Sequence, residues 1–483
     1  MKLSTSIAAI LAATVCTQAL PTNNQPKGQI VIPLHTNDRF RPDPSISLRN
    51  AQSRYAKFVV NEGGRPSMNN KITVDSNGYD PTLVSNNGKV PLKVIQNDVQ
   101  YVGKVSIGTP PQVLELNFDT GSADLWFIST LCKDCDEYNT QFNHEESQTF
   151  RWGEERKEWA IQYGDGSTAS GLVGYDTVNL GGLSIHDQGI ELATHETKMD
   201  SVVHGILGLG FPQLCTVKGL KTPLQNLIAQ NLIEKPIFSF SLGQYLHGGG
   251  GELIFGGINK DRYVGELTSF PVENLEGYWG VTLVSATIGD ELISFDEITS
   301  KIPKLTSADL KDVTSKIPKI LNRRDGGDLL NTALSGSELP TNSLSADVLP
   351  TVPTLRAVLD TGTTLVIFPQ VLADIIAKKY DATPTKDGTY IITCDLSKIP
   401  PLTLNFGTAS YVIPSESLIY YNDGQGQCTA GFANAQFPFV ILGDVFLKNV
   451  YTVFDYGTPP TVSLAQAVLP PQYNDNNKEH FDN

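Results

Sequence analysis

The chain has 483 residues, 40% of them hydrophobic and 18% charged, with a formal net charge of −15. That length leaves room for two or more domains, and the composition excludes a disordered chain. The acidic sign makes nucleic acid an unsuitable partner.

Taken from the N-terminus, residues 1–19 read as a cleaved secretory signal. Lys2 supplies the positive end, Ile7 to Val15 the apolar core, and Thr17-Gln18-Ala19 a small-residue cleavage pattern. The apolar run is too short to span a bilayer. The polar tail at 471–483 carries no lipid-anchor pattern. These features predict no membrane association and a secreted protein, with a vacuole as the other destination the same route serves. No N-x-[ST] acceptor is present.

Residues 20–95 form a leader with little periodicity and one helix-like patch, Ser45 to Val60. The leader carries a net +5, against −21 for residues 96–483. The two parts therefore attract each other while the carboxylates are ionised, and lose that attraction as pH falls through the carboxyl range.

From about Val99 the pattern changes to short strands separated by turns, with Gly and Pro abundant throughout. Short helices are expected at "TPLQNLIAQNL" and "PQVLADIIAKKY". Between about 290 and 353 the chain is rich in Ser, Thr, Lys, Asp and Pro. That stretch holds a short repeat, "TSKIPKL" and "TSKIPKI", and a dibasic pair, Arg323-Arg324. It reads as a surface insertion, with the dibasic pair either a processing site or an ordinary charged loop.

Of six cysteines, Cys16 leaves with the signal. Cys132, Cys135, Cys394 and Cys428 are candidates for two disulfides in an oxidising compartment. No second CxxC and no clustered His completes a zinc tetrad, so neither a metal nor another cofactor is expected. Cys215 is left over and reads as a buried free thiol.

Two stretches carry the chemistry. "NFDTGSADLWF" places Asp119 after an apolar run, and "AVLDTGTTLVIF" repeats the pattern at Asp360, 241 positions later. "VVHGILGLGF" follows the first and "PFVILGDVFL" the second, at nearly the same offset. Two ordered pairs predict two homologous β-rich lobes, each giving one Asp to a shared cleft. A charge set among apolar residues is costly unless it is used or shared. Two carboxylates held together share one proton, so one apparent pKa falls and the other rises. The ionised member can take a proton from water while the protonated member donates to a carbonyl. Ser122 and Thr363 can orient the outer carboxylate oxygens, and each following Gly permits a tight turn.

At these residues the sequence resembles the pepsin-like aspartic proteases, and among them the secreted rhizopuspepsin-type enzymes of moulds. The resemblance rests on "YVGKVSIGTPPQ", "FDTGSADLWF", "AIQYGDGSTASG", "GILGLGF", "GGGGELIFGG", "LDTGTTLVIFP" and "ILGDVFLKNVYTVFD". It implies an all-β, bilobal fold with lobes at 96–275 and 276–470, and a catalytic pair Asp119 and Asp360. It makes Tyr163, Gly164 and Asp165 a substrate-covering hairpin tip, with Trp126 packing beneath. Asp165 could pair with a basic substrate side chain or be a solvated turn residue. The resemblance also implies bridges Cys132–Cys135 and Cys394–Cys428. In the leader, "RYAKF" resembles the element that plugs the cleft, with Lys57 facing the two carboxylates. The long 290–353 stretch departs from the family's pattern.

The expectation is a monomeric zymogen, inhibited by its own propeptide, that becomes an acid endopeptidase acting on proteins and peptides. The cleft walls are expected to favour bulky apolar residues around the scissile bond. An inactive pepsin-like binding or inhibitory protein is the alternative. A two-carboxylate glycosidase would need a wider separation of the acids.

Overall fold

The computed structural model describes residues 30–33, 35–36, 43–55, 100–298 and 354–468, apart from short gaps at 134, 136–139, 154, 163–167, 198–203, 245–250, 274–275 and 296–297. The expected signal, Lys57, the hairpin tip Tyr163-Gly164-Asp165, the dibasic pair and the polar tail lie outside the described residues.

The described residues are mainly strands, in five sheets. The expected duplication appears as one local motif made twice. In the first half, strand Gln112–Asp119 runs parallel to Gly205–Gly208, which pairs antiparallel with Leu125–Ile128. In the second half, Leu355–Leu359 runs parallel to Val440–Leu442, which pairs antiparallel with Val366–Pro369. In each half the Asp-Thr-Gly turn therefore leaves the end of a central strand. The hydrophobic-hydrophobic-Gly stretch is the neighbour that braces it, with Gly208 opposite Asp119. Both glycines are required by space. A Cβ on Gly208 would lie 2.4 Å from the Ala123 backbone, and one on Gly443 would lie 2.2 Å from the Thr363 carbonyl.

A six-stranded sheet joins the halves. It combines Ile237–Leu242, Gly251–Phe255 and Tyr263–Pro271 with the C-terminal strands Val450–Asp455 and Thr461–Ala467. Its edge is Ile30–Pro33 of the leader, antiparallel to Gly251–Phe255. One continuous apolar core runs through both halves and includes leader residue Ile32. Trp279 is fully buried in it and donates its indole N–H to the Leu209 carbonyl at 2.9 Å, pinning the second half to the first.

The three expected helices form, with adjusted ends. Pro44–Arg54 is capped by Asp43, whose side chain accepts from the Ser45 and Ile46 N–H groups. It ends at Arg54, shorter than the Ser45–Val60 patch suggested. Pro223–Ala229 starts in a Thr222/Gln225 capping box. Gln370–Lys379 buries Leu372, Ala373, Ile376 and Ala377 on one face.

Candidate active site

The two Asp-Thr-Gly turns meet at the junction of the lobes. Each threonine reaches across to the other turn. Thr120 Oγ1 donates to the Leu359 carbonyl at 2.9 Å and accepts the Thr361 N–H at 3.0 Å. Thr361 Oγ1 donates to the Phe118 carbonyl at 2.6 Å and accepts the Thr120 N–H at 3.0 Å. Buried backbone groups need partners. Here they find them in the opposite lobe, which fixes the two turns against each other.

That brace brings Asp119 and Asp360 together, both fully buried. Their surroundings are near mirror images. Gly121 N–H donates to Asp119 Oδ1 at 2.8 Å, and Gly362 N–H to Asp360 Oδ1 at 2.9 Å. Ser122 Oγ donates to Asp119 Oδ2 and Thr363 Oγ1 to Asp360 Oδ2, each at 2.6 Å. The orienting roles expected of Ser122 and Thr363 thus have their geometry.

The carboxylates are not open to solvent. The leader helix lies across them, and Arg54 spans the pair. Its Nη1 is 2.7 Å from both Asp360 oxygens and 3.2 Å from Asp119 Oδ1, and its Nη2 is 3.1 Å from Asp119 Oδ2. A planar guanidinium suits this forked contact. Tyr55 follows, donating its hydroxyl to Asp360 Oδ2 at 2.9 Å. Its ring packs on Tyr278, Phe437 and Phe439 at 4.8–5.8 Å. Leu48, Ala51 and Tyr55 recur at helical spacing and bury one face of the helix against Val358, Leu365, Ile367 and Ala433. Lys57, expected to face the two carboxylates, lies outside the described residues; the cation described on them is Arg54, three residues earlier.

The electrostatics separate the two acids. Burial pushes Asp119 up to about 6, against the pull of Arg54 and with a further push from Asp360. Burial also pushes Asp360 up, but there the Arg54 charge and the Thr363 hydroxyl outweigh it. The hydrogen-bond reach of Asp119 lowers it further, so Asp360 ends below its ordinary value. Two acids within hydrogen-bond reach of each other share a proton.

A family model, Eukaryotic aspartyl protease, matches residues 100–308 and 340–467. The chain belongs to this family. It is 39% identical to Rhizopuspepsin-1 of Rhizopus niveus, over 95% of this chain and 97% of that protein. It is 38% identical to Syncephapepsin of Syncephalastrum racemosum, over 95% and 98%. Against Cathepsin E-B of Xenopus laevis the identity is 31%, over 80% and 85%. The chain is a pepsin-like aspartic endopeptidase of the Rhizopus type. The residues left unmatched by the family model, 309–339, fall inside the stretch expected to be an insertion.

Other expected residues of this aspartyl protease can be located. Trp126 is buried and packs on Trp159 with ring centroids 5.8 Å apart. Trp159 belongs to Glu158–Gln162, which pairs with Thr168–Leu180 to form the hairpin below residues 163–167. Cys132–Cys135 and Cys394–Cys428 are bonded as the resemblance implied. Cys215 is a free, half-buried thiol pushed up to about 12 by burial, then by Asp124 and Glu191. Among the described residues no group of three or more His, Cys, Asp or Glu side chains is arranged to hold a metal ion. No described helix is long and apolar enough to cross a membrane.

Sequence reasoning missed Arg54, Tyr55, Tyr278 and the crossed threonines. The two Thr residues were visible in the repeated Asp-Thr-Gly. Arg54 and Tyr55 stand at the head of "RYAKF", where only the lysine drew notice.

Proposed function

We propose that this aspartic endopeptidase is made as a secreted, acid-activated zymogen in which Asp119 and Asp360 activate water. One observation carries the reading: two fully buried carboxylates, each held by a hydroxyl and a backbone N–H, are spanned by a single leader guanidinium. Arg54 and Tyr55 occupy the place a substrate carbonyl and water need, so the leader, residues 20–95, acts as the enzyme's own inhibitor. Once it leaves, the ionised member of the pair takes a proton from water and the water oxygen attacks the peptide carbonyl. The protonated member donates to the carbonyl oxygen, and the resulting diol collapses with transfer of a proton to the leaving amine. Tyr163, Gly164 and Asp165 are assigned to the hairpin tip that covers the bound peptide. The aromatic wall of Tyr278, Phe437 and Phe439 supports a preference for bulky apolar side chains near the scissile bond. The N-terminal signal pattern supports secretion, with the vacuole as the other address.

The test is to move purified full-length protein from neutral pH to about pH 3, below the ordinary carboxyl range, following chain size and casein cleavage with Asp360→Asn alongside. Wild type should shed its leader and cut casein, and the variant should do neither. If wild type stays inert after another protease has removed the leader, the chain is a binding protein instead.

A further inference from the structure

Behind the catalytic turn lies a second pair of buried acids that the mechanism does not use. Asp124 closes the turn that begins at Asp119. Its carbonyl accepts the Gly208 N–H at 2.8 Å, and its Oδ1 accepts the Thr216 N–H at 2.9 Å. Glu191 is fully buried on strand Leu183–Thr197, and neither of its carboxyl oxygens has a hydrogen-bond partner among the described residues. It stands opposite Trp126 on one side and Val173 on the other. It therefore shares a face with the small cluster of Trp126, Trp159, Val173, Ala193 and Val217. Trp159, on the first strand of the hairpin, is buried there, and its indole N–H has no partner among the described residues.

No Lys or Arg among the described residues makes an ion pair with Asp124 or Glu191. The other titratable groups facing them are Asp119 from the catalytic turn, Cys215 from the covering segment 211–222, and Tyr175 at the cluster edge. Lys218 and Lys221 of that segment are exposed. A buried carboxylate without a cation or donors does not stay ionised: it takes a proton, or the structure opens to water. Burial holds Glu191 well above the ordinary carboxyl range and pushes Asp124 up to about 6.

We propose that Asp124 and Glu191 are positioning residues that seat the catalytic turn and the hairpin-bearing tryptophan cluster only while they are protonated. As pH rises Asp124 loses its proton first, supported by the Thr216 N–H. Glu191 then has a negative neighbour and no donor, so its own ionisation requires segment 211–222 to lift. The sign follows from linkage. A carboxyl whose folded pKa is raised binds more protons folded than unfolded, so stability is lost as pH climbs above the ordinary carboxyl range. The enzyme's need for acid then has a structural origin besides its catalytic pair. This deepens the endopeptidase reading, but its physical readout needs no turnover.

The test uses the full-length, leader-bound chain at about pH 5 and about pH 7.5, which bracket the window of a raised carboxyl pKa. Thermal unfolding and tryptophan fluorescence are compared for wild type, Glu191→Met and Asp124→Asn. Met removes the ionisable group at similar length. Asn keeps an acceptor for Thr216. Wild type should lose thermal stability between the two pH values, and each variant should lose much less. The pH at which fluorescence reports opening should move up. Casein cleavage after acid activation should persist further towards neutral pH. Variants that follow the wild-type pH dependence, or that shift equally at both pH values, would overturn the proposal. If one variant fails to fold, the other carries the comparison. A chain that shows these shifts yet never cuts casein would overturn the endopeptidase reading alone.

Discussion

A Cβ on Gly362 would lie 2.3 Å from Asp119 Oδ1 in the opposite lobe. The relation is reciprocal, since a Cβ on Gly121 would lie 2.5 Å from Asp360 Oδ1. Neither glycine has a positive φ, so both are needed for space rather than for backbone conformation. Each lobe's turn limits how closely the other lobe's acid can approach.

The first prediction follows from this crowding. Gly362→Ala should displace the Asp119 carboxylate while leaving both acids in the chain. Displacements on the order of 1 Å cost about 100-fold in rate, so kcat/KM should fall by about 100-fold or more. Steady-state kinetics on a peptide substrate checks this. Folding should survive, because the methyl meets a side chain rather than backbone.

The leader's release should follow Asp360 rather than Asp119. When Asp119 takes its proton near 6, Arg54 keeps its shorter contacts to Asp360 and the cluster becomes neutral. The Asp360 carboxyl has a lowered pKa. Its contribution is present above the ordinary value of about 3.9 and is lost as pH falls through the lower folded value. Self-cleavage monitored against pH should therefore begin below about pH 4. In Arg54→Met the leader loses its ion pairs, so the variant should process faster than wild type near pH 5 and at a similar rate near pH 3. Wild-type processing that tracks pH 6 would show that Asp119 controls release.

How much of this could be read in the sequence depends on the kind of information required. The paired acids were visible because Asp-Thr-Gly recurs with its bracing strand at a matched offset. The bilobal β fold followed from the same duplication. The leader contact could not be assigned to one residue in the same way. "RYAKF" offers two cations, and the pattern alone does not say which residue meets the acids, because that depends on how the preceding helix is seated. The helix is seated by Leu48, Ala51 and Tyr55 on the apolar floor of the cleft, and Arg54 then lies over the acids. Glu191 gave no local sign, because its burial comes from strands about 20 and 65 residues away in sequence.

The crossed threonines allow a stability test without touching either acid. Thr361→Val keeps the shape but leaves the Thr120 N–H and the Phe118 carbonyl without their partner. An unsatisfied buried group costs about 1–3 kcal/mol. Two such groups cost about 2–6 kcal/mol, and since a kcal/mol moves Tm by about 2–4 °C at about 150–250 residues and by less in a longer chain, Tm should drop by several degrees in calorimetry. Thr361→Ser keeps the hydroxyl and should recover most of the loss.

The two disulfides should differ in what they contribute. Cys394–Cys428 closes a loop of sequence separation 34, and Cys132–Cys135 one of separation 3. In the chain-entropy account the cost of opening grows with loop length, giving about 4 kcal/mol for the first and about 2 for the second. Burial acts in the same direction. Cys428 is fully buried beside Ile392 in a strand pair, whereas Cys132 is only half-buried. Cys394→Ala/Cys428→Ala should therefore lower Tm by several degrees more than Cys132→Ala/Cys135→Ala. Reduction with dithiothreitol under native conditions should open the 132–135 bridge first, as thiol labelling would show. Equal losses, or earlier labelling at Cys428, would mean that the C-terminal bridge ties down a region already loose without it.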